Sequence, residues 1–273
     1  MMLYPQGTLG LGILSWRGAA SLDHALESYQ REDFFSLFDD ALAFLPDPDE
    51  DVLKVTEKYP LRIETSPENK GIRAGMEEIA SRLKTEYIFF TENDNPLLES
   101  RDEARRQIEK ALELLATDQA IMARMRHVRE PGEAFNTLAK YRRYFPEPDT
   151  LAARTRRLLR PLKARRLCGT AIYASSDPAA RFPQYIQGAG DGFYLVSTKV
   201  LPWTNQSIII KRDFFVETIL PFAKSGPERA GNNGFPNLEI ELNRSRFWRN
   251  SGWQIACGPG LLTHRRVGAR GYD

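Results

Sequence analysis

Residues 84–100 read KTEYIFFTENDNPLLES, and this stretch decides the fold. Tyr87-Ile88-Phe89-Phe90-Thr91 is apolar or β-branched at every position rather than at alternate ones. That is the pattern of a strand buried on both faces, as in a parallel sheet. The run stops at Glu92-Asn93-Asp94, and Pro96 and a polar segment follow. Two carboxylates around one amide therefore stand at the carboxyl end of the strand, where open α/β sheets hold their ligands. Hard oxygen donors clustered there suit a Mg²⁺ or Mn²⁺ that also holds phosphate oxygens. An acidic tripeptide taken alone reads first as a solvated turn, so its neighbours carry the weight.

Upstream, the strand-then-polar-tip pattern recurs. Residues 9–16, LGLGILSW, are an apolar run ending at Ser15. Ser21 is then a candidate cap for a helical pattern with Leu22, Ala25, Leu26 and Tyr29 on its apolar side. Residues 34–38, FFSLF, are a second apolar run, ending in Asp39-Asp40. A shorter run at 61–63 leads into SPENKGI, with Asn69 and Gly71, and a helical stretch over 73–83 delivers the chain to the strand before Glu92. Strands alternating with helices predict right-handed crossovers and an α/β fold with a mostly parallel sheet. Ser15, Asp39, Asp40, Asn69, Glu92 and Asp94 are then expected on one edge of that sheet, an arrangement suited to a nucleotide.

In this order the motifs resemble the nucleotide-sugar half of glycosyltransferases of the GT-A fold, most of all those of family 2. The resemblance runs over residues 8–98. It implies that Asp39 or Asp40 contacts the nucleoside, that Asn69 and Gly71 lead into a helix beside the sugar nucleotide, and that Glu92 and Asp94 form the metal–diphosphate motif. Glu92 stands where the family has Asp, which leaves Asp94 as the better-matched metal ligand and makes Glu92 a ribose contact or a support. Residues 234–260, GFPNLEIELNRSRFWRNSGWQIACGPG, resemble the family's late segment, in which a carboxylate deprotonates the acceptor hydroxyl. Aligned on Leu242, that carboxylate is Glu239, with Glu241 as reserve. Residues i and i+2 do not share a helix face, so at most one of the two points into a site. Further on, LLTHRR at 261–266 places His264 where such enzymes return a histidine to the metal or diphosphate, and Arg265 or Arg266 where a guanidinium meets phosphate oxygens. His24 and His127 read as helical positions without acidic neighbours.

The resemblance thus implies a Mn²⁺- or Mg²⁺-dependent transfer of a sugar from a nucleotide-diphosphate sugar to a hydroxyl of a glycan or lipid-linked glycan, inverting if Glu239 is the base. Two other classes stay open. A nucleotidyltransferase uses a similar sheet but normally carries a Gly-rich basic loop after the first strand, where this chain has Ser15-Trp16-Arg17-Gly18. A non-catalytic membrane- or polysaccharide-binding protein needs the basic residues and no metal.

The 273 residues suffice for a sizeable core, and the expected organisation is one domain over 1–273. Within it, 8–98 form the nucleotide-sugar half, 99–170 a helical basic insertion and 171–273 the acceptor half. A long helix is expected over 99–117, and short strands over 171–176, 192–197 and 208–212. Trp203 either stacks on a sugar or fills the core. No apolar run approaches the roughly 20 residues that span a bilayer, and the N-terminus lacks a secretory pattern, so a cytoplasmic setting is expected. Cys168 and Cys257 have no metal-ligand spacing. The net charge of +2 conceals residues 154–166, RTRRLLRPLKARR, with seven basic residues and no acid. Such a run is a solvated helix face or a contact for anionic lipid or glycan, which would place the protein peripherally at the inner face of a membrane. Nucleic acid is not expected, because the charge balances elsewhere and no nucleic-acid module is recognisable.

Overall fold

The computed structural model describes residues 3–133, 135–226 and 234–268. Nine strands form one sheet: β1 (Leu9–Leu14), β2 (Asp40–Pro46), β3 (Arg62–Ser66), β4 (Tyr87–Glu92), β5 (Met122–Arg126), β6 (Ile186–Gly188), β7 (Tyr194–Ser197), β8 (Ile208–Lys211) and β9 (Gln254–Leu262). Their order is β3-β2-β1-β4-β8-β5-β9-β7-β6. The first four strands and the β5–β9 pair run parallel, while β8 is antiparallel to both β4 and β5, and β7 to β9. The sheet is mostly parallel, with a reversed strand inserted at its centre.

The unbroken apolar runs of β1 and β4 follow from cover on both faces. From β4, Tyr87 and Phe89 face one cluster, with Leu22 and Leu26 of α1 (Ala19–Arg31). Ile88 and Phe90 face the other. After α2 (Glu50–Thr56), the helix α3 (Gly71–Arg82) lays Met76 and Ile79 on that second face. A Cβ on Gly12 of β1 would collide with Ile79, so the glycine lets α3 come close to the strand. The helix expected over 99–117 is α4 (Arg101–Ala116); it is capped by the Ser100 hydroxyl on Glu103 N–H and packs Ile108 and Leu112 on the face of α1.

Three readings are corrected here. The run at 34–38 is not a strand but a 3₁₀ turn, Phe34–Leu37, whose Phe34 ring packs edge-on with Phe38 and Phe89. The second strand is DALAFLP. The stretch 171–176 is likewise no strand: its first half belongs to a 3₁₀ segment, Cys168–Tyr173, and the rest is turn. And the segment 99–170 contributes β5 to the sheet, so its basic helices narrow to α5 (Asn136–Tyr144), α6 (Leu151–Leu159) and α7 (Pro161–Leu167). After the single turn α8 (Pro178–Arg181), a helix begins at α9 (Arg212–Phe214) and runs through a π turn into α10 (Leu220–Ser225). The last helices are α11 (Leu238–Arg244), capped by Asn237, and α12 (Arg246–Asn250). Both cysteines are free and buried.

Candidate active site

The carboxyl ends of β1, β2 and β4 are tied together by side chains. After β1, Ser15 N–H donates to Phe44 O of β2 (3.1 Å), and the Ser15 hydroxyl donates to Arg17 O (3.3 Å). The Arg17 guanidinium reaches Asp47, just beyond β2, at 3.3 Å, while Arg17 O accepts from Asn93 Nδ2 beyond β4 at 3.0 Å. Beyond β3, Asn69 Oδ1 accepts from Gly71 N–H at 2.8 Å. Gly71 has φ +83°, and a Cβ there would meet Phe235, so a glycine opens α3 for both reasons.

Asp39 and Asp40 are not on this edge. They stand at the amino end of β2, Asp39 just before the strand and Asp40 as its first residue. Asp39 accepts from Leu9 N–H at 2.8 Å at the start of β1, and Asp40 pairs with Arg62 of β3 at 2.7 Å. Once β2 is shifted to 40–46, the acid at its carboxyl tip is Asp47. The signal for it was Pro-Asp-Pro-Asp at 46–49, punctuation that ends a strand.

Asp94 is the centre of the site. It is 3% exposed, and its Oδ2 lies 2.9 Å from His264 Nε2 and 3.1 Å from Arg266 Nε, while Asn95 Nδ2 donates to Oδ1 at 3.1 Å. Backbone pairing brings the two segments together: Leu98 N–H donates to Leu261 O, Thr263 N–H to Pro96 O, and Arg265 N–H to Asp94 O. That register settles the arginine. The Arg265 side chain is exposed, and Arg266 is the one that meets Asp94. Burial pushes the Asp94 carboxyl up, but the hydrogen bonds and charges of His264 and Arg266 outweigh it and hold the group below the ordinary carboxylate range. Burial works downward on His264, and Asp94 reverses it, leaving the imidazole raised. Nδ1 of that ring faces Glu133 O at 3.1 Å; a carbonyl only accepts, so Nδ1 carries a proton and Nε2 is the nitrogen directed at Asp94. Glu92 is pushed up to about 8, first by burial and then by the nearby charges of Asp94 and Glu239.

On the other side of His264 lies a cavity of about 370 Å³, whose walls include Glu239, His264, Arg126, Tyr173 and Trp203. Glu239 is half-buried and accepts from Asn205 N–H at 3.0 Å. Trp203 is both core and wall: it stacks near Phe215, and its indole N–H donates to Asn205 Oδ1 at 2.8 Å. Glu241 turns away. It is 7% exposed and pairs with Arg73 of α3 at 2.8 Å, which makes it a tie between α11 and α3 rather than a site group. His127 is not helical; it follows β5, is buried, and lies 3.0 Å from Glu99. The pair joins residues far apart in sequence, which local pattern does not reveal.

Among the described residues no three acidic, histidine or cysteine side chains converge to cage a metal. Asp94 and His264 nevertheless lie side by side, 2.9 Å apart, and Asp94 is held below the ordinary carboxylate range. Two protein donors fit Mg²⁺ or Mn²⁺ when substrate phosphates complete the sphere. A cation there would take the place of the His264 and Arg266 hydrogen bonds on Oδ2.

No protein-family model matches the sequence, and a search of characterised proteins returns no match. Solved structures do resemble it. A mannosyltransferase from Pyrobaculum calidifontis, in complex with GDP-Man and Mn²⁺, superposes with a TM-score of 0.53 and 11% identity over 99% of this chain and 60% of its own. TarS of S. aureus, residues 1–349 with UDP-GlcNAc, gives 0.52 and 11% over 96% of this chain and 60% of its own. Glucosyl-3-phosphoglycerate synthase from Mycobacterium tuberculosis, with Mn²⁺, UDP-Glc and phosphoglyceric acid, gives 0.50 and 11% over 97% and 75%. The chain therefore spans 60% of the length of the first two. Its fold is that of the GT-A glycosyltransferases.

Proposed function

We propose that the protein is a metal-dependent glycosyltransferase that moves a sugar from a nucleotide-diphosphate sugar to a hydroxyl of a glycan or lipid-linked glycan, with inversion. The observation that carries this reading is the position of His264: one nitrogen lies on Asp94 at the carboxyl edge of β4, and the same ring walls the cavity that contains Glu239. Donor and acceptor chemistry thus meet at one side chain.

Asp94 and His264 would hold Mn²⁺ or Mg²⁺, which when bound neutralises charge on the departing diphosphate. Arg266, beside Asp94, supplies a guanidinium for the same oxygens. Asp47, Asn69 and Gly71 lie along the edge where the nucleoside would be read. Glu239 would accept the acceptor proton. Its carboxylate is oriented by Asn205 N–H through Oε1, which leaves Oε2 for the hydroxyl. The acceptor oxygen, deprotonated by Glu239, would attack the anomeric carbon opposite the departing diphosphate, a single displacement that inverts the centre. The Ser15–Gly18 turn has one glycine and holds Arg17 in contact with Asp47, which disfavours the cradle of a nucleotidyltransferase.

The test is product identity. With UDP- and GDP-sugars and Mn²⁺, we expect slow release of nucleoside diphosphate by donor hydrolysis even without acceptor, and none with EDTA. Release of pyrophosphate from nucleoside triphosphate and sugar phosphate would assign a nucleotidyltransferase instead.

A further inference from the structure

The face formed by α6 and the start of α7 leaves leucines in solvent. Leu151, Leu158, Leu159 and Leu162 are 80%, 81%, 74% and 62% exposed. Leu151 and Leu158, seven apart on α6, lie on one line, with the buried Ala153 on the far side of the helix. Leu159 lies a step round from them, and Leu162 follows at the start of α7. Single exposed leucines are ordinary; four close together mark a contact surface. Next to them is a groove of about 590 Å³ with Leu151 and Leu159 on its wall and Arg143, Arg156, Arg160 and Lys163 around it. Arg154 and Arg157, on the other flank, are paired with Asp149. Among the described residues, the four groove cations have no carboxylate partner.

We infer that this face docks on a bilayer containing anionic phospholipid, with the leucines in the headgroup–acyl boundary and Arg143, Arg156, Arg160 and Lys163 at the lipid phosphates. An exposed apolar row flanked by cations is the composition of an interfacial helix. A second copy of the chain would bring the same cations against these, with like-charge repulsion. Nucleic acid would satisfy the cations and leave the leucines in water. No helix among the described residues is long and apolar enough to cross a membrane, so the contact is peripheral. It also reaches the site: Thr137, in the first turn of α5, is on the wall of the Glu239 cavity, and the nine residues of α5 span about 13 Å toward the groove.

Flotation of the full chain with vesicles tests this. Wild type should float with phosphatidylcholine–phosphatidylglycerol vesicles, not with phosphatidylcholine alone, and added salt should weaken the binding. Replacing Arg156, Arg160 and Lys163 by Gln together should lower the partition coefficient on the order of 100-fold, as lost cations at an acidic surface do. Leu158→Asp with Leu159→Asp should abolish flotation. Leu158, Leu159, Arg160 and Lys163 are exposed and the half-buried Arg156 gives up one exposed hydrogen bond to Arg143 O, so circular dichroism should be unchanged, as should sugar-nucleotide binding; the lipid contact can therefore fail while the transferase reading stands, and the reverse. The inference is overturned if wild type stays in solution with both vesicle types or floats equally with both, or if either variant floats like wild type. A solution dimer that Leu158→Asp dissolves would overturn it in favour of self-association.

Discussion

Asp94 Oδ2 has two nitrogen neighbours, one from an imidazole and one from a guanidinium, in a place that is 3% exposed. An ion pair so enclosed makes chemical demands on the groups around it, and Glu92 shows them. Its carboxyl is raised to about 8 from an ordinary 4.5, so ionising it costs the folded state more than the unfolded one. Stability attributable to the neutral form is complete below about 4.5 and is lost as pH rises toward 8. Glu92→Gln removes that loss. In EDTA the variant should melt above wild type by a margin that widens from pH 5 to pH 8, with about 2 to 4 °C for each kcal/mol relieved in a chain of this size. A constant margin would mean that Glu92 titrates normally. The second prediction at this scale separates the two glutamates of α11. Glu239→Gln keeps the shape and removes the basicity, so kcat should fall roughly 100- to 10,000-fold with donor affinity little changed. Glu241→Gln leaves Arg73 with a weaker buried partner, so the protein should melt lower while the folded fraction turns over normally. If Glu241→Gln is the inactive variant and Glu239→Gln is not, the roles are reversed.

Among the elements, the shift of β2 moves the acid proposed to read the nucleoside from the pair at 39–40 to Asp47. Asp47→Ala should raise the donor KM about tenfold or more with kcat nearly unchanged, the mark of lost uniform binding. Asp40→Ala, at the far end of the same strand, should leave KM alone. The opposite result would restore the acidic pair at 39–40 as the contact. Why one strand was legible and the other was not is instructive. YIFFT is buried on both faces, and an apolar run between polar segments is then unambiguous as a strand. FFSLF is just as apolar, but its rings are satisfied in a turn against Phe89, and composition alone does not distinguish the two. The polar tip after β4 and the histidine after β9 were therefore readable. The choice of Arg266 over Arg265 was not, because it depends on the register between residues 94–98 and 261–265. Glu241 illustrates the same limit: helix spacing shows that it diverges from Glu239, but only tertiary packing provides Arg73.

At the scale of the whole molecule, the reversed strand β8 splits the sheet into a part whose tips carry Ser15, Asp47, Asn69 and Asp94 and a part, β5 and β9, that returns His264 to it. We propose that this junction binds a sugar nucleotide with a divalent metal. Calorimetric titration with UDP- and GDP-sugars, with and without Mn²⁺, tests it most directly on wild type and on Asp94→Asn. We expect saturable binding of at least one donor with Mn²⁺, much weaker binding without it, and loss of the metal-dependent part in folded Asp94→Asn, whose turnover should drop by about 100-fold or more. Binding that is equally tight with and without Mn²⁺, or Mn²⁺-dependent binding that Asp94→Asn retains in full, would contradict it.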